Sequence, residues 1–242
     1  MATGRLTRFS RVALIALGAI AMLTAGCGST TSTGIGASDI VRIRTVDTVP
    51  NGGNAAININ NGTVAGSQTF FSGSDYRFLQ PGAATVTFTF DVNTTTYQSV
   101  PETLLGATTY SAIVFGRTDV TDSADARFPS AIVAQDHQTA AAAGTADLRI
   151  IIAAPDAPNV DVLVNGAVVA SNVAFKTVVP YANYPAGSVS VSIVNHATSA
   201  VLVAATPVTL GTGHSVSAYF VEPTVKTTVA APTYQISTLV DF

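Results

Sequence analysis

One offset organises the chain. A shift of 105 positions lays Arg44 over Arg149, Pro50 over Pro155, Asn60 over Asn165 and Phe70 over Phe175. The same shift pairs Tyr76 with Tyr181, Gly82 with Gly187, Val86 with Val191, Gly106 with Gly211, Phe115 with Phe220 and Asp136 with Asp241. Internal repetition at this period means two copies of a ~100-residue unit, the usual size of a small sandwich domain. Within each copy the apolar residues recur at every second position. Ala84, Val86, Phe88 and Phe90 alternate with threonines, and Val189, Val191 and Ile193 alternate with serines. Such strands bury one face and wet the other. Asn61-Gly62 and Asn165-Gly166 supply hairpin turns, because Asn and Gly tolerate positive φ. The spacing predicts an all-β chain of two tandem Ig-like antiparallel β-sandwiches. The first occupies residues 39–136, the second 147–242, and residues 137–146 link them. Each copy carries the strand signals of a whole sandwich, so residues 147–242 are expected to fold alone.

The N-terminus reads differently. Arg5, Arg8 and Arg11 form a basic region ahead of an apolar run from Val12 to Gly26, which is short for a membrane span of ~20 residues. It ends in Leu23-Thr24-Ala25-Gly26-Cys27, resembling a bacterial lipobox, in which the cysteine is diacylated and becomes the new N-terminus. Residues 1–26 are thus a lipoprotein signal peptide, and Cys27, the chain's single cysteine, is the lipidation candidate. Residues 27–38, rich in Ser, Thr and Gly, read as a tether. Gly28 follows Cys27 where inner-membrane lipoproteins of enteric bacteria often carry Asp, which favours the outer membrane where the source has one.

Composition narrows the function classes. With 48% hydrophobic residues the 242-residue chain has the apolar content that disordered chains lack. The formal charge of −3 becomes more acidic by three when the leader, with three arginines and no acid, is removed. Nothing in that balance attracts nucleic acid.

The segment Leu148-Arg149-Ile150-Ile151-Ile152-Ala153-Ala154-Pro155-Asp156-Ala157-Pro158-Asn159-Val160-Asp161-Val162 resembles the opening of the bacterial domain-of-unknown-function family 4397. Asn165-Gly166, Asn172-Val173-Ala174-Phe175, Tyr181 and Pro185-Ala186-Gly187 continue the pattern. The family often has His where Ile152 stands, so a role for that histidine is absent. The first copy matches through the repeat alone, keeping Pro50 of the Pro-Asp-Ala-Pro segment. The resemblance implies an exported Ig-like module, often tandem and lipid-anchored, with no established activity.

Chemistry-bearing residues are sparse. Gly213-His214-Ser215-Val216-Ser217 departs from the Gly-x-Ser-x-Gly nucleophile elbow at its last position and opens a strand where the elbow needs a strand-turn-helix. His137, His196 and His214 share no metal-ligand spacing. Asp119, Asp122 and Asp125 offer carboxylates for calcium, without the alternate spacing and terminal Glu of an EF-hand, and read as a solvated acidic turn. Pro155, Asp156 and Pro158, with Asp161, form a rigid loop in which the Asp156 carboxylate accepts backbone amides; its second reading is a binding loop. Tyr76 and Tyr181 fit tyrosine-corner bonds to backbone. No cofactor is implied. The expected function is a non-catalytic, lipid-anchored envelope protein acting as a spacer or an interaction and adhesion module. Its partners are the membrane, through the anchor, and an envelope protein or glycan. The alternative is a binding module for a small ligand or glycan at a sandwich end or inter-repeat cleft.

Overall fold

The computed structural model describes residues 40–99, 101–225, 227 and 230–241. The leader, Cys27 and the tether lie outside these residues. The described chain is all-β. The first copy contains β1 (Val41–Asp47), β2 (Ala55–Ile59), β3 (Gly62–Gln68), β4 (Ser72–Gly73), β5 (Arg77–Leu79), β6 (Gly82–Ala84), β7 (Val86–Phe90), β8 (Tyr97–Gln98), β9 (Glu102–Leu104), β10 (Thr109–Phe115) and β11 (Ser130–Asp136). The second contains β12 (Thr145–Ile152), β13 (Val160–Val164), β14 (Ala167–Val173), β15 (Val178–Pro185), β16 (Gly187–Asn195), β17 (Val201–Leu210), β18 (Ser215–Thr224) and β19 (Thr233–Val240).

Each copy is a two-layer sandwich. One layer of the first copy is β11-β10-β1, continued by β4 and β5 on the far side of β1, and the other is β3-β2-β7-β8. The second copy repeats this with β15-β12-β18-β19 and β14-β13-β16-β17. The alternating strands behave as their period requires. Val86, Phe88 and Phe90 point into the first core, and Val189, Val191 and Ile193 into the second. The pairing is antiparallel except for β1 with β10 and β12 with β18, which run parallel. In both cases the opening strand of a copy lies beside its penultimate one, with the intervening strands between them in sequence.

Two local expectations shift. The first hairpin turns on Asn60 and Asn61, at φ 49° and 66°, and Gly62 already belongs to β3. Its counterpart turns on Asn165 and Gly166. Asn60 Oδ1 accepts the Thr85 amide and Asn165 Oδ1 the Ser190 amide, both at 2.9 Å, so each turn is pinned to the neighbouring strand. The repeat offset also slips by one. Register pairs Arg44 with Ser111 but Arg149 with Ser217, and Gly82 with Leu104 but Gly187 with Leu210. One extra residue in the second copy therefore separates Gly106 from Gly211 and Phe115 from Phe220 as structural equivalents. Phe115 and Val221 correspond instead, and the offset returns to 105 at Asp136 and Asp241.

Four strands do not alternate. β1, β10, β12 and β18 are buried almost throughout. Strands covered on both faces read as continuous apolar runs. Leu148, Ile150 and Ile152 enter the second sandwich core, while Ile151, Ala153, Tyr219 and Val221 join Val46, Ile113 and Phe115 in a third cluster drawn from both copies. Phe71 meets Tyr219 edge-on at 5.4 Å, and Phe175 meets Phe115 at 5.9 Å, each aromatic crossing to the other copy.

Candidate functional site

A buried polar assembly lies beside that third cluster. Arg44, on β1, and Arg149, on β12, are 5% and 1% exposed. Each guanidinium reaches across to the other copy. Arg44 pairs with Asp241 and donates to the Val240 carbonyl at 2.9 Å, and Arg149 pairs with Asp136 at 2.5 Å and donates to the Gln135 carbonyl at 2.9 Å. At home, Arg44 Nε donates to Ser111 Oγ at 2.9 Å, and Arg149 Nε to Ser217 Oγ at 2.6 Å. Those hydroxyls pass the bond on, Ser111 to Asp136 and Ser217 to Asp241.

Tyrosines close the ring. Tyr76 donates to Asp136 at 2.8 Å and to the Asp241 carbonyl at 3.2 Å, while Tyr181 donates to Asp241 at 2.6 Å. The corner bonds expected for them thus go chiefly to carboxylates. Their rings also lie under the guanidinium groups, Tyr76 beneath Arg44 at 5.1 Å and Tyr181 beneath Arg149 at 4.7 Å. Burial opposes the charge on both arginines, yet the surrounding acids and tyrosines overcome it and raise both above their ordinary value. Burial lifts the Asp241 carboxyl above its usual range, against the pull of the two arginines. Two positive and two negative groups balance in a site closed to water. Such a network favours one docking geometry, because any other leaves a buried ion unpaired.

The motifs singled out in the sequence meet at one edge of the same interface. Gly116, at φ +115°, turns the chain so that the Arg117 amide reaches the Arg127 carbonyl at 2.8 Å. A Cβ there would lie 2.7 Å from that carbonyl. Arg117 and Arg127 both reach across to Asp156, whose side chain is 3% exposed. The Asp156 amide in turn donates to Glu222 at 2.9 Å. Asp156 therefore takes arginines from the first copy where backbone amides were expected.

The calcium candidates surround those arginines. Asp119 accepts Arg117 at 2.6 and 2.9 Å and Asn51 at 2.8 Å, which holds its carboxyl below the usual range. Asp125 accepts Arg127 at 2.6 Å, which pulls it down to about 2. Asp122 caps the Ala124 amide at 2.9 Å. Among the described residues no cluster of three or more His, Cys, Asp or Glu is arranged to hold a metal.

Asp161 stands apart from Asp156. It accepts Ser171 at 2.7 Å, the Asn172 amide at 2.8 Å and His196 Nδ1 at 2.8 Å, and the first two bonds lead in lowering its carboxyl to about 2. Serine, histidine and aspartate meet here, but the hydroxyl donates to the carboxylate and lies 3.4 Å from the same ring nitrogen that faces it. A nucleophile needs the opposite ring nitrogen as its base. Ser215 is fully buried at the start of β18. His137 stacks on Tyr181 at 3.9 Å and pairs with Asp147 at 3.0 Å.

The buried network is what sequence reasoning missed. Its signal was present twice, in Arg, Tyr and Asp pairs kept at the repeat offset and in apolar runs too continuous for half-buried strands. The family model described as "Domain of unknown function (DUF4397)" matches residues 41–162 and 146–237, two overlapping segments that cover both sandwiches. No curated protein matches the chain significantly. With two matched segments spanning both copies of one sandwich unit, the chain belongs to the DUF4397 family.

Proposed function

We propose that this is a non-catalytic, lipid-anchored protein of the bacterial cell envelope, in which two sandwiches locked face to face act as a stiff spacer carrying interaction loops. The observation that carries the reading is the crossed Arg44–Asp241 and Arg149–Asp136 pairing. A flexible two-domain linker needs no such buried, charge-specific interface, whereas a spacer that sets a distance does. The lipobox at Cys27 supports the anchoring, since acyl chains contribute ~0.8 kcal/mol per buried methylene. A glycan-binding reading draws on a polar depression of about 320 Å³ lined by Asn60, Asn61, Thr85, Thr87 and Gln98. It lacks the aromatic platform on which sugars stack.

Two experiments test the proposal. Cys27→Ser is expected to move the protein from the membrane pellet to the soluble envelope fraction after carbonate and high-salt washing. Retention of the variant in the pellet contradicts the anchor. Cross-linking in intact envelopes is expected to capture a defined macromolecular partner, whereas a glycan alone would favour the second reading.

A further inference from the structure

The two copies differ at the end where the fold begins. In the second copy, Asp147 on β12 accepts Asn183 at 2.9 Å and His137 at 3.0 Å, and Asn183 also reaches Thr145 at 3.1 Å. That site is a closed polar knot. Register places Arg42 opposite Phe78 as it places Asp147 opposite Asn183. The Ala107 amide donates to the Ile40 carbonyl at 3.0 Å as the Gly213 amide donates to the Thr145 carbonyl at 2.8 Å. The first copy therefore carries a cation for the acid and a phenylalanine for the asparagine. With the one-residue slip, Leu105 stands where the second copy has Gly211.

These replacements are exposed. Phe78 is 71% and Leu105 60% exposed, and Phe78 lines an open depression of about 370 Å³ with Ile40, Arg42, Ala107 and Thr108. Arg77, also exposed, adjoins Phe78 on β5. An aromatic and a leucine flanked by arginines is the composition that partitions into a bilayer interface, with rings among the headgroups and guanidinium groups on lipid phosphates.

Chain length names the occupant. Cys27 lies thirteen residues ahead of Ile40. Thirteen residues reach at most ~45 Å even fully extended. An anchor at Cys27 ties the protein to lipid through the end of the first sandwich at which Ile40 lies.

We infer that the rim formed by Arg42, Phe78 and Leu105 rests on the membrane surface, docking the first sandwich against lipid. The inference rests on the lipid-anchor reading. It makes the first copy the membrane-facing one.

The chain has no tryptophan, so a single introduced indole is a clean reporter. Phe78→Trp and, as control, Val201→Trp would each be made in the full chain; Val201 is 65% exposed in the second copy. Both proteins would be matured in a bacterial host and reconstituted into phosphatidylethanolamine–phosphatidylglycerol vesicles with and without brominated acyl chains. Flotation and the mass of Cys27 report anchoring, and bromine quenching reports contact with lipid. The expected result is flotation of both, with the Phe78→Trp indole quenched at least twofold more than the Val201→Trp indole. Flotation with equal quenching overturns the docking and leaves the anchor standing. Failure to float, with Cys27 unmodified, overturns both. A Phe78→Trp emission shift that follows protein concentration without bromine quenching assigns the rim to a second copy of this chain, and overturns contact with lipid.

Discussion

The two sandwiches agree at the centre of their interface and diverge at its edges. In the centre, Arg44, Ser111, Tyr76 and Asp136 repeat as Arg149, Ser217, Tyr181 and Asp241, and each arginine pairs with the other copy's aspartate. At the edges the symmetry fails. Asp156 is clasped by Arg117 and Arg127, while its counterpart Asn51 stays at home, donating to Asp119 and accepting the Thr118 amide. Asp47, buried in the first copy, occupies the position that Ile152 fills in the second. The residues that lock one copy to the other are thus the same in both, while positions with different surroundings differ.

Breaking the symmetric centre is expected to cost most. Arg149→Met leaves Asp136 buried without its cross-copy cation, and Arg44→Met does the same to Asp241. Removing one partner of a buried pair costs about 3–5 kcal/mol. Urea unfolding is expected to show similar losses for the two variants. A large loss in one and a small loss in the other would show that the centre is symmetric in geometry alone.

Asp47 distinguishes the first copy from the second in the opposite sense. Its Oδ1 accepts the Val49 amide at 2.9 Å, but Oδ2 is buried with no partner, and burial raises the carboxyl to about 7. The folded state therefore holds this proton more tightly than the unfolded chain, whose carboxyl titrates near 3.9. Its stability contribution is present below pH ~4 and is lost as pH rises through about 7. Asp47→Asn keeps an oxygen for Val49 and removes the charge. Thermal midpoints are expected to show a gain at pH 8, worth up to about 4 kcal/mol, and none at pH 3.5. Equal midpoints for variant and wild type at pH 8 would mean that water reaches the carboxylate.

The asymmetric edge is expected to give a smaller effect. Asp156→Ala removes the acceptor that Arg117 and Arg127 share, at about 2–3 kcal/mol, whereas Asn51→Ala loses one bond to the half-exposed Asp119 carboxylate and one from the Thr118 amide, both within one copy, at about 1 kcal/mol. Urea midpoints for the pair check the ranking. Equal losses would mean that Arg117 is satisfied by Asp119 without help from the second copy.

Much of this was legible in the sequence. Period two in Val86–Phe90 and Val189–Ile193 placed the outer sheets, because a half-covered strand writes its burial directly into alternation. The Asn-rich turns were legible for the same local reason, apart from the one-residue choice at Asn60-Asn61. The interface was harder. Ile150-Ile151-Ile152 and Ala112-Ile113-Val114-Phe115 carry no alternation because both faces are covered, and a continuous run does not say by what. Nor does sequence reveal that Arg44 would pair with Asp241, since that bond spans both copies. Asp156 and Asp161, five residues apart, look like one loop but serve different edges, one held by arginines and the other by His196. A fragment of residues 147–242, expected from the sequence to fold alone, would carry the face of Arg149, Ile151, Tyr219 and Val221 uncovered. Without the first copy that face exposes apolar area to water, and Arg149 loses Asp136 while keeping Ser217 and, at 3.9 Å, Asp241.

Calorimetry decides whether the two sandwiches form one cooperative unit. Residues 27–242 with Cys27→Ser would be heated and the calorimetric enthalpy compared with the van't Hoff enthalpy. A single transition with the two enthalpies equal is expected, which Arg149→Met shifts downward for the whole molecule. Two resolved transitions in the parent protein, with Arg149→Met lowering one and leaving the other in place, would contradict it.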